Sequence, residues 1–302
     1  MSTNVSETTA KPFLKWAGGK SQLLGELRKL YPITQHHLTN YVEPFVGGGA
    51  VFFDVLNTST ITKATLNDIN PNLINAYRVI QEDSEALLSA LNNLQEAYLA
   101  QDPEGRETAF YARREAYNNL ATAPLDGNNV QRAALFIFLN KTCFNGLHRV
   151  NSKGFFNVSH GKYKRPLICD EERIRAVAKA LQSVNILLGD YRKTLDYIDS
   201  NTFLYLDPPY RPLTTSANFN AYDSTVFGDT AQQELADFIK EADAKGAKIL
   251  LSNSDPKNAN PDDNFFDDLY SELKVQRVSA RRAISSKGTG RGAISEILVT
   301  NY

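Results

Sequence analysis

Asp207-Pro208-Pro209-Tyr210 directly follows the apolar run Phe203 to Leu206. In an open parallel sheet, ligands bind outside the carboxyl ends of the strands, so these four residues are expected at the rim of a site. Two consecutive prolines fix the backbone and remove two amide donors, which leaves carbonyls available as acceptors. The set therefore offers a carboxylate, a carbonyl and an aromatic face. Such a set suits an exocyclic nucleobase amine like that of adenine, a poor nucleophile because its lone pair is delocalised into the ring. Asp207 and the Pro208 carbonyl can take its two hydrogens and aim the lone pair in line at an electrophilic methyl carbon. Tyr210 can stack on a base flipped out of a duplex, a contact worth about 1–3 kcal/mol in single-strand binders. Carbon methylation of cytosine would instead need a cysteine after a proline, whereas Cys143 follows Thr142 and Cys169 follows Ile168. The plainer reading of the tetrapeptide is a strand-ending proline turn.

A second group of residues lies upstream. Gly47-Gly48-Gly49 after the run Val42 to Val46 allows close approach of a nucleotide-like ligand to the backbone, although alone it is a weak signal. Asp68, at the end of the following strand, stands where an acidic residue accepts hydrogen bonds from ribose hydroxyls in dinucleotide-binding folds. It could equally serve as a cap ahead of Pro71. Gly19-Lys20-Ser21 imitates the end of a phosphate-binding loop, but the first glycine should fall where Leu14 stands and no strand precedes it. Trp16, the single tryptophan, could be simple core packing. The two cysteines and four histidines lack ligand spacing, so neither a disulfide nor a metal is expected.

These groups need a scaffold that brings strand ends together. The alternation of strand 42–46, helix 50–56, strand 64–66 and a helix opened by Pro71 predicts a parallel α/β sheet. From about 84 to 139 helical periodicity takes over, broken at Asp102-Pro103 and at 124–127. Residues 146–163 then alternate polar and aromatic types around Asn151-Ser152-Lys153-Gly154, which predicts a projecting basic hairpin. Strands resume at 184–188, 203–206 and 248–251, with a helix at 230–244, and a terminal antiparallel pair is expected at 275–278 and 294–299. The expected organisation is a catalytic domain of residues 1–81 and 166–302 interrupted by an insert at 82–165.

The chain has 302 residues, with hydrophobic residues at 42% and charged residues at 22%, close to the globular average. No apolar run approaches membrane-spanning length, and the polar start Met1 to Lys11 is expected to be frayed and cytoplasmic. The net charge of −1 hides local asymmetry. Lys141 to Arg165 contains six lysines and arginines with no acidic residue, and a second basic stretch runs from Lys274 to Arg291. Either stretch could be an ordinary solvated face or a polyanion contact.

Taken in order, Leu14 to Lys20, Tyr41 to Gly49, Phe144 to Lys164, Asp207 to Tyr210 and Ser285 to Tyr302 resemble the Dam-like, D12-class DNA adenine-N6 methyltransferases of the alpha group. The similarity runs from Phe13 to Tyr302. It implies a Rossmann-like S-adenosylmethionine-dependent methyltransferase fold with an inserted helical and β-hairpin target-recognition domain. It further implies that Trp16, Lys20, Phe45, Gly47, Asp68, Asp190 and Asp207 line the S-adenosylmethionine pocket, and that Asp207, Pro208 and Tyr210 hold the target adenine. Double-stranded DNA at GATC is the implied substrate. Lys15, Phe144, Asn145, Leu147, Arg149, Lys162 and Tyr163 are the implied DNA contacts, with Arg282, Ser285 and Lys287 as phosphate candidates. Phe144 could wedge into the stack while Leu147 and Arg149 meet base edges. Relatives often carry proline after Phe-Asn-Val, where this chain has Ser159 followed by His160.

The resulting expectation is a cytoplasmic adenine methyltransferase, either solitary or paired with a restriction endonuclease cutting the same site. Methylation of cytosine amines or of RNA adenine would use the same acceptors. A DNA-binding regulator without catalysis is the alternative from another class, and the intact Asp207 to Tyr210 and Lys20 argue against it.

Overall fold

The computed structural model describes residues 9–124, 127–211, 227–280 and 294–302. The frayed start expected at the N-terminus lies largely outside the described residues, as do Arg282, Ser285 and Lys287.

Among the described residues the strands are β1 (Asn40–Glu43), β2 (Lys63–Asp68), β3 (Val184–Leu188), β4 (Thr202–Leu206), β5 (Lys248–Ser254), β6 (Lys274–Ala280) and β7 (Ile294–Thr300). They form a seven-stranded sheet in the order β3-β2-β1-β4-β5-β7-β6. β1 pairs parallel with β2 and β4, and β4 pairs parallel with β5. β7 is antiparallel to both β5 and β6, so β6 keeps the sense of β5. This is the α/β class with a mostly parallel, Rossmann-like sheet expected from the sequence, with one reversed strand let in near its edge. The strand order turns back between β1 and β4, the point at which such sheets bind ligands.

The first compact unit comprises Met1–Lys20, Val46–Thr58 and Asn67–Asp190. Its helices are α1 (Ala50–Thr58), α2 (Pro71–Glu82), α3 (Ser84–Leu99), α4 (Pro103–Ala121), α5 (Val130–Thr142) and α6 (Glu171–Leu181). Local chemistry sets the starts of three of them. Asn70, Asp102 and Asn129 each accept hydrogen bonds from first-turn amides, and proline opens α2 and α4. Nearly every residue of α5 is buried, as expected for a helix at the centre of a bundle. That includes Arg132, whose guanidinium donates to Asn72 Oδ1 and to the carbonyls of Ala121 and Ala123. A buried charge persists only when its donors are met in this way.

The second unit comprises Ser21–Phe45, Ser59–Leu66 and Tyr191–Tyr302. Its core packs Val42, Leu204, Leu206, Ile249 and Leu251 of the strands with Leu235, Phe238 and Ile239 of α7 (Asp229–Ala244). β4 is buried along its whole length, as an apolar central strand requires.

Two local differences from the sequence expectation have physical causes. The first strand ends at Glu43 rather than at position 46, because Pro44 has no amide to continue the ladder. The expected hairpin holds by two isolated bridges, Val150↔Phe156 and Cys143↔His160, instead of a continuous ladder. Side chains supply the rest. Asn151 Oδ1 accepts from the amides of Lys153 and Phe155 around the Gly154 turn, and Asn118 binds both backbone groups of Phe156.

Candidate active site

In the first unit, the glycine turn and the ends of β2 and β3 are tied together. The Val46 amide donates to the Asn67 carbonyl, and the Gly189 amide donates to the Asp68 carbonyl. Asn67 Nδ2 donates in turn to the Gly189 carbonyl at 3.0 Å. Asp68 Oδ2 accepts from the Gly47 amide at 3.1 Å and Oδ1 from the Asn70 amide at 2.9 Å. Burial nevertheless raises the Asp68 carboxyl above the ordinary range, against the pull of those amides. Gly47 (φ 48°) and Gly49 (φ 71°) occupy the left-handed region. A Cβ on Gly47 would stand 2.9 Å from Trp16 Cδ1, and one on Gly49 would stand 2.6 Å from Tyr77 Oη. Ile69, next to Asp68, is 76% exposed, and Asp190 follows Gly189 on the surface.

Trp16 also stacks on His148, with ring centroids 5.4 Å apart and planes 20° from parallel. Lys20 is buried and its Nζ donates to the Gly18 carbonyl.

The same unit carries the expected DNA contacts described by the structure. Buried Asn140 of α5 joins two of the segments involved: its Oδ1 accepts from the Lys15 amide at 2.9 Å, and its Nδ2 donates to the carbonyls of Lys15 and Gly146. Lys15 Nζ lies over the Tyr163 ring, and Tyr163 Oη accepts from the Asn145 amide. Phe144 is 53% exposed, and Leu147 is partly buried beside it. Arg149 folds onto the opposite side of the hairpin, donating through Nε to Asn157 Oδ1 at 2.7 Å. Lys162, at φ 54°, is exposed and stands 3.6 Å from Glu107. His160, next to Ser159, is buried and shares a 2.6 Å hydrogen bond with Tyr98.

In the second unit, Asp207 leaves the end of β4 partly buried, Pro208 is buried, and Tyr210 is 39% exposed. Ser252 Oγ donates to Asp207 Oδ1 at 3.2 Å and lies 2.8 Å from Tyr205 Oη. Gln232 Nε2 donates to the Pro209 carbonyl, and Asn253 Nδ2 donates to Gln232 Oε1. Arg211 closes the turn, bound to both Asp229 oxygens and to Asp263 while its guanidinium covers the Phe265 ring. Phe45 packs with Tyr191 and Phe227. Ser252, Gln232, Asn253 and Asn140 were not among the residues expected from sequence. Asn140 ends the apolar run Ala133 to Leu139, which is a signal for it, whereas Ser252-Asn253-Ser254 and Gln232-Gln233-Glu234 are polar runs that single out none of their members.

A partly buried carboxylate on a rigid turn at the reversal point of the sheet can orient an amine. Burial pushes the Cys143 thiol up to about 11, which keeps it protonated and unsuited to covalent attack at neutral pH. The family model for D12 class N6 adenine-specific DNA methyltransferases matches residues 16–284. The chain belongs to this family. It is 42% identical over 295 residues to the type II methyltransferase M.MjaIII of Methanocaldococcus jannaschii, covering 97% of this chain and 99% of that one. The type II methyltransferase M1.LlaDCHI of Lactococcus lactis is 37% identical over 97% of this chain and 95% of its own. The DNA adenine methylase of Haemophilus influenzae is 36% identical over 95% and 92% respectively. The protein is thus a site-specific adenine DNA methyltransferase with DNA as its substrate and a methyl donor as its second reactant. Among the described residues, no helix of this methyltransferase is long and apolar enough to cross a membrane.

Proposed function

We propose that this methyltransferase moves a methyl group from S-adenosylmethionine to N6 of an adenine flipped out of a GATC duplex. The observation that carries the reading is the Asp207 to Tyr210 turn at the sheet reversal, with one carboxylate oxygen already engaged by Ser252. Asp207 and the Pro208 carbonyl would accept the two amine hydrogens, and Tyr210 would stack on the base. The proton released by the methylated amine would leave through Asp207 or water.

S-adenosylmethionine supplies a methyl carbon activated by a sulfonium. The residues of the first unit fit it: Asp68 offers carboxylate oxygens to ribose hydroxyls, exposed Ile69 offers an apolar face to an adenine ring, and Asp190 lies on the turn bonded to Asp68. Trp16, Lys20, Phe45, Gly47 and Asp207 complete the proposed pocket.

Residues 82–165 would serve as the target-recognition insert within a catalytic domain of 1–81 and 166–302. On it Phe144 would wedge at the flipped base, Leu147 and Arg149 would read base edges, and Asn145, Lys162 and Tyr163 would hold phosphates beside Lys15. Arg282, Ser285 and Lys287 are further phosphate candidates. We place the enzyme in the cytoplasm with the DNA. The type II designation of two relatives favours a partner endonuclease that cuts the same site, and such an enzyme should be blocked by the methylation.

The test is methyl transfer from labelled S-adenosylmethionine to duplexes that differ only in carrying GATC or GTAC. Label confined to the GATC adenine is expected, and equal label on both would discard the site. Asp207→Ala should fold and bind DNA yet give no turnover; full activity would remove Asp207 from the chemistry.

A further inference from the structure

Beneath the Asp207 turn lies a line of buried hydroxyls that begins at Ser252. Ser252 is fully buried on β5, as is Tyr205 on β4. An ionised carboxylate only accepts, so the single Ser252 proton points to Asp207 Oδ1 and Tyr205 must donate to Ser252. The three groups therefore form a chain of donors ending on one carboxylate oxygen, and neighbouring bonds of this kind polarise one another. On the other side, Asn253 supports Gln232, which occupies the Pro209 carbonyl. Ser252 thus engages Asp207 Oδ1, as Gln232 engages the Pro209 carbonyl.

We propose that Ser252, backed by the Tyr205 hydroxyl, is a positioning residue for methyl transfer: it fixes the rotation of the Asp207 carboxylate so that one oxygen faces the amine. The inference rests on the catalytic reading of Asp207. Loss of the Ser252 bond removes a contact that sets the carboxylate's rotation, and a misplacement of about 1 Å can cost on the order of a hundredfold in rate. Donation to the charged form also holds a carboxyl acidic, so its loss lets Asp207 protonate at higher pH.

Single-turnover methylation of an unmethylated plasmid by the full chain, across pH, tests this. Ser252→Ala should slow methyl transfer by about tenfold or more, with Kd for S-adenosylmethionine and for DNA unchanged and the acid limb of the rate profile moved to higher pH. Ser252→Thr, which keeps the hydroxyl, should restore most of the rate. Tyr205→Phe should cost less than Ser252→Ala and nothing further in its presence. If Ser252→Ala does not fold, Tyr205→Phe with its own pH profile carries the test. A wild-type rate and acid limb in Ser252→Ala overturns the inference, as does a rate loss with an unmoved acid limb. Asp207→Ala run alongside separates the two levels: its full activity strikes the catalytic reading, whereas an inactive Asp207→Ala beside an unaffected Ser252→Ala strikes only the positioning role.

Discussion

At Asp68, burial raises the carboxyl although the amides of Asn70, Gly47 and Ile69 lower it. A folded-state value above the unfolded one adds stability that is complete at pH below the unfolded value and is lost as pH rises through the folded value. Ionising Asp68 therefore costs the unliganded protein stability, and hydroxyl donors from a ribose would offset part of that cost. Two outcomes are expected together. Asp68→Asn should hold or raise the melting temperature without ligand while weakening S-adenosylmethionine binding about tenfold or more, the range of a lost hydrogen bond to a charged group. In the unmodified protein, affinity should fall with acid at pH above the usual carboxylate range near about 3.9. Calorimetric titration across pH checks both, and an acid limb at the ordinary value would separate Asp68 from ligand binding. Asp68 and Asp207 were legible in the sequence because each ends a strand, Asp207 directly before two prolines and Asp68 at the end of the strand that follows the glycine turn. Ser252 and Gln232 were not, since their partners Asp207 and Pro209 lie far away in the chain and no local periodicity records the pairing.

Among the elements, the turn between β1 and α1 and the hairpin at 146–163 were predictable in kind, but their fastenings were not. Asn-Ser-Lys-Gly announces a turn, yet the hairpin is held by Asn118 from α4 and by His160 against Tyr98 from α3. Helix α6 and the placing of β7 between β5 and β6 also went beyond the expected elements, because strand order is settled by long-range pairing that composition does not encode. Two substitutions probe the fastenings. Gly49→Ala would bring a Cβ within 2.6 Å of Tyr77 Oη at φ 71°, and should destabilise the protein by about 1–3 kcal/mol. Tyr98→Phe would strip the buried His160 Nε2 of its hydrogen bond at a cost of about 1–3 kcal/mol, and should weaken DNA binding more than S-adenosylmethionine binding. Urea denaturation with both binding constants measures this. A Tyr98→Phe protein as stable as its parent would show that the bond does not fasten the hairpin.

Across the whole molecule, a net charge of −1 would forecast indifference to DNA if charge were evenly spread. With the acid-free stretch from Lys141 to Arg165 as the proposed DNA contact, binding would be a local electrostatic matter, and log K should fall linearly with log salt, by about 0.9 per phosphate neutralised. Lys162 is a sharp probe of that count. Its ammonium stands 3.6 Å from Glu107, with both side chains well exposed, and such a surface pair is worth about 0–1 kcal/mol. Glu107 therefore offers little competition to a phosphate, and Lys162→Gln should reduce the salt slope by close to one full phosphate equivalent while leaving the preference between duplexes unchanged. Arg149→Ala should do the reverse, relaxing the preference while changing the slope less, because a base-edge contact discriminates between sequences and a phosphate contact does not. Fluorescence anisotropy between about 50 and 200 mM salt distinguishes the two. An unchanged slope in Lys162→Gln would place that lysine off the DNA and leave the backbone contacts to Lys15 and the segment around Asn145.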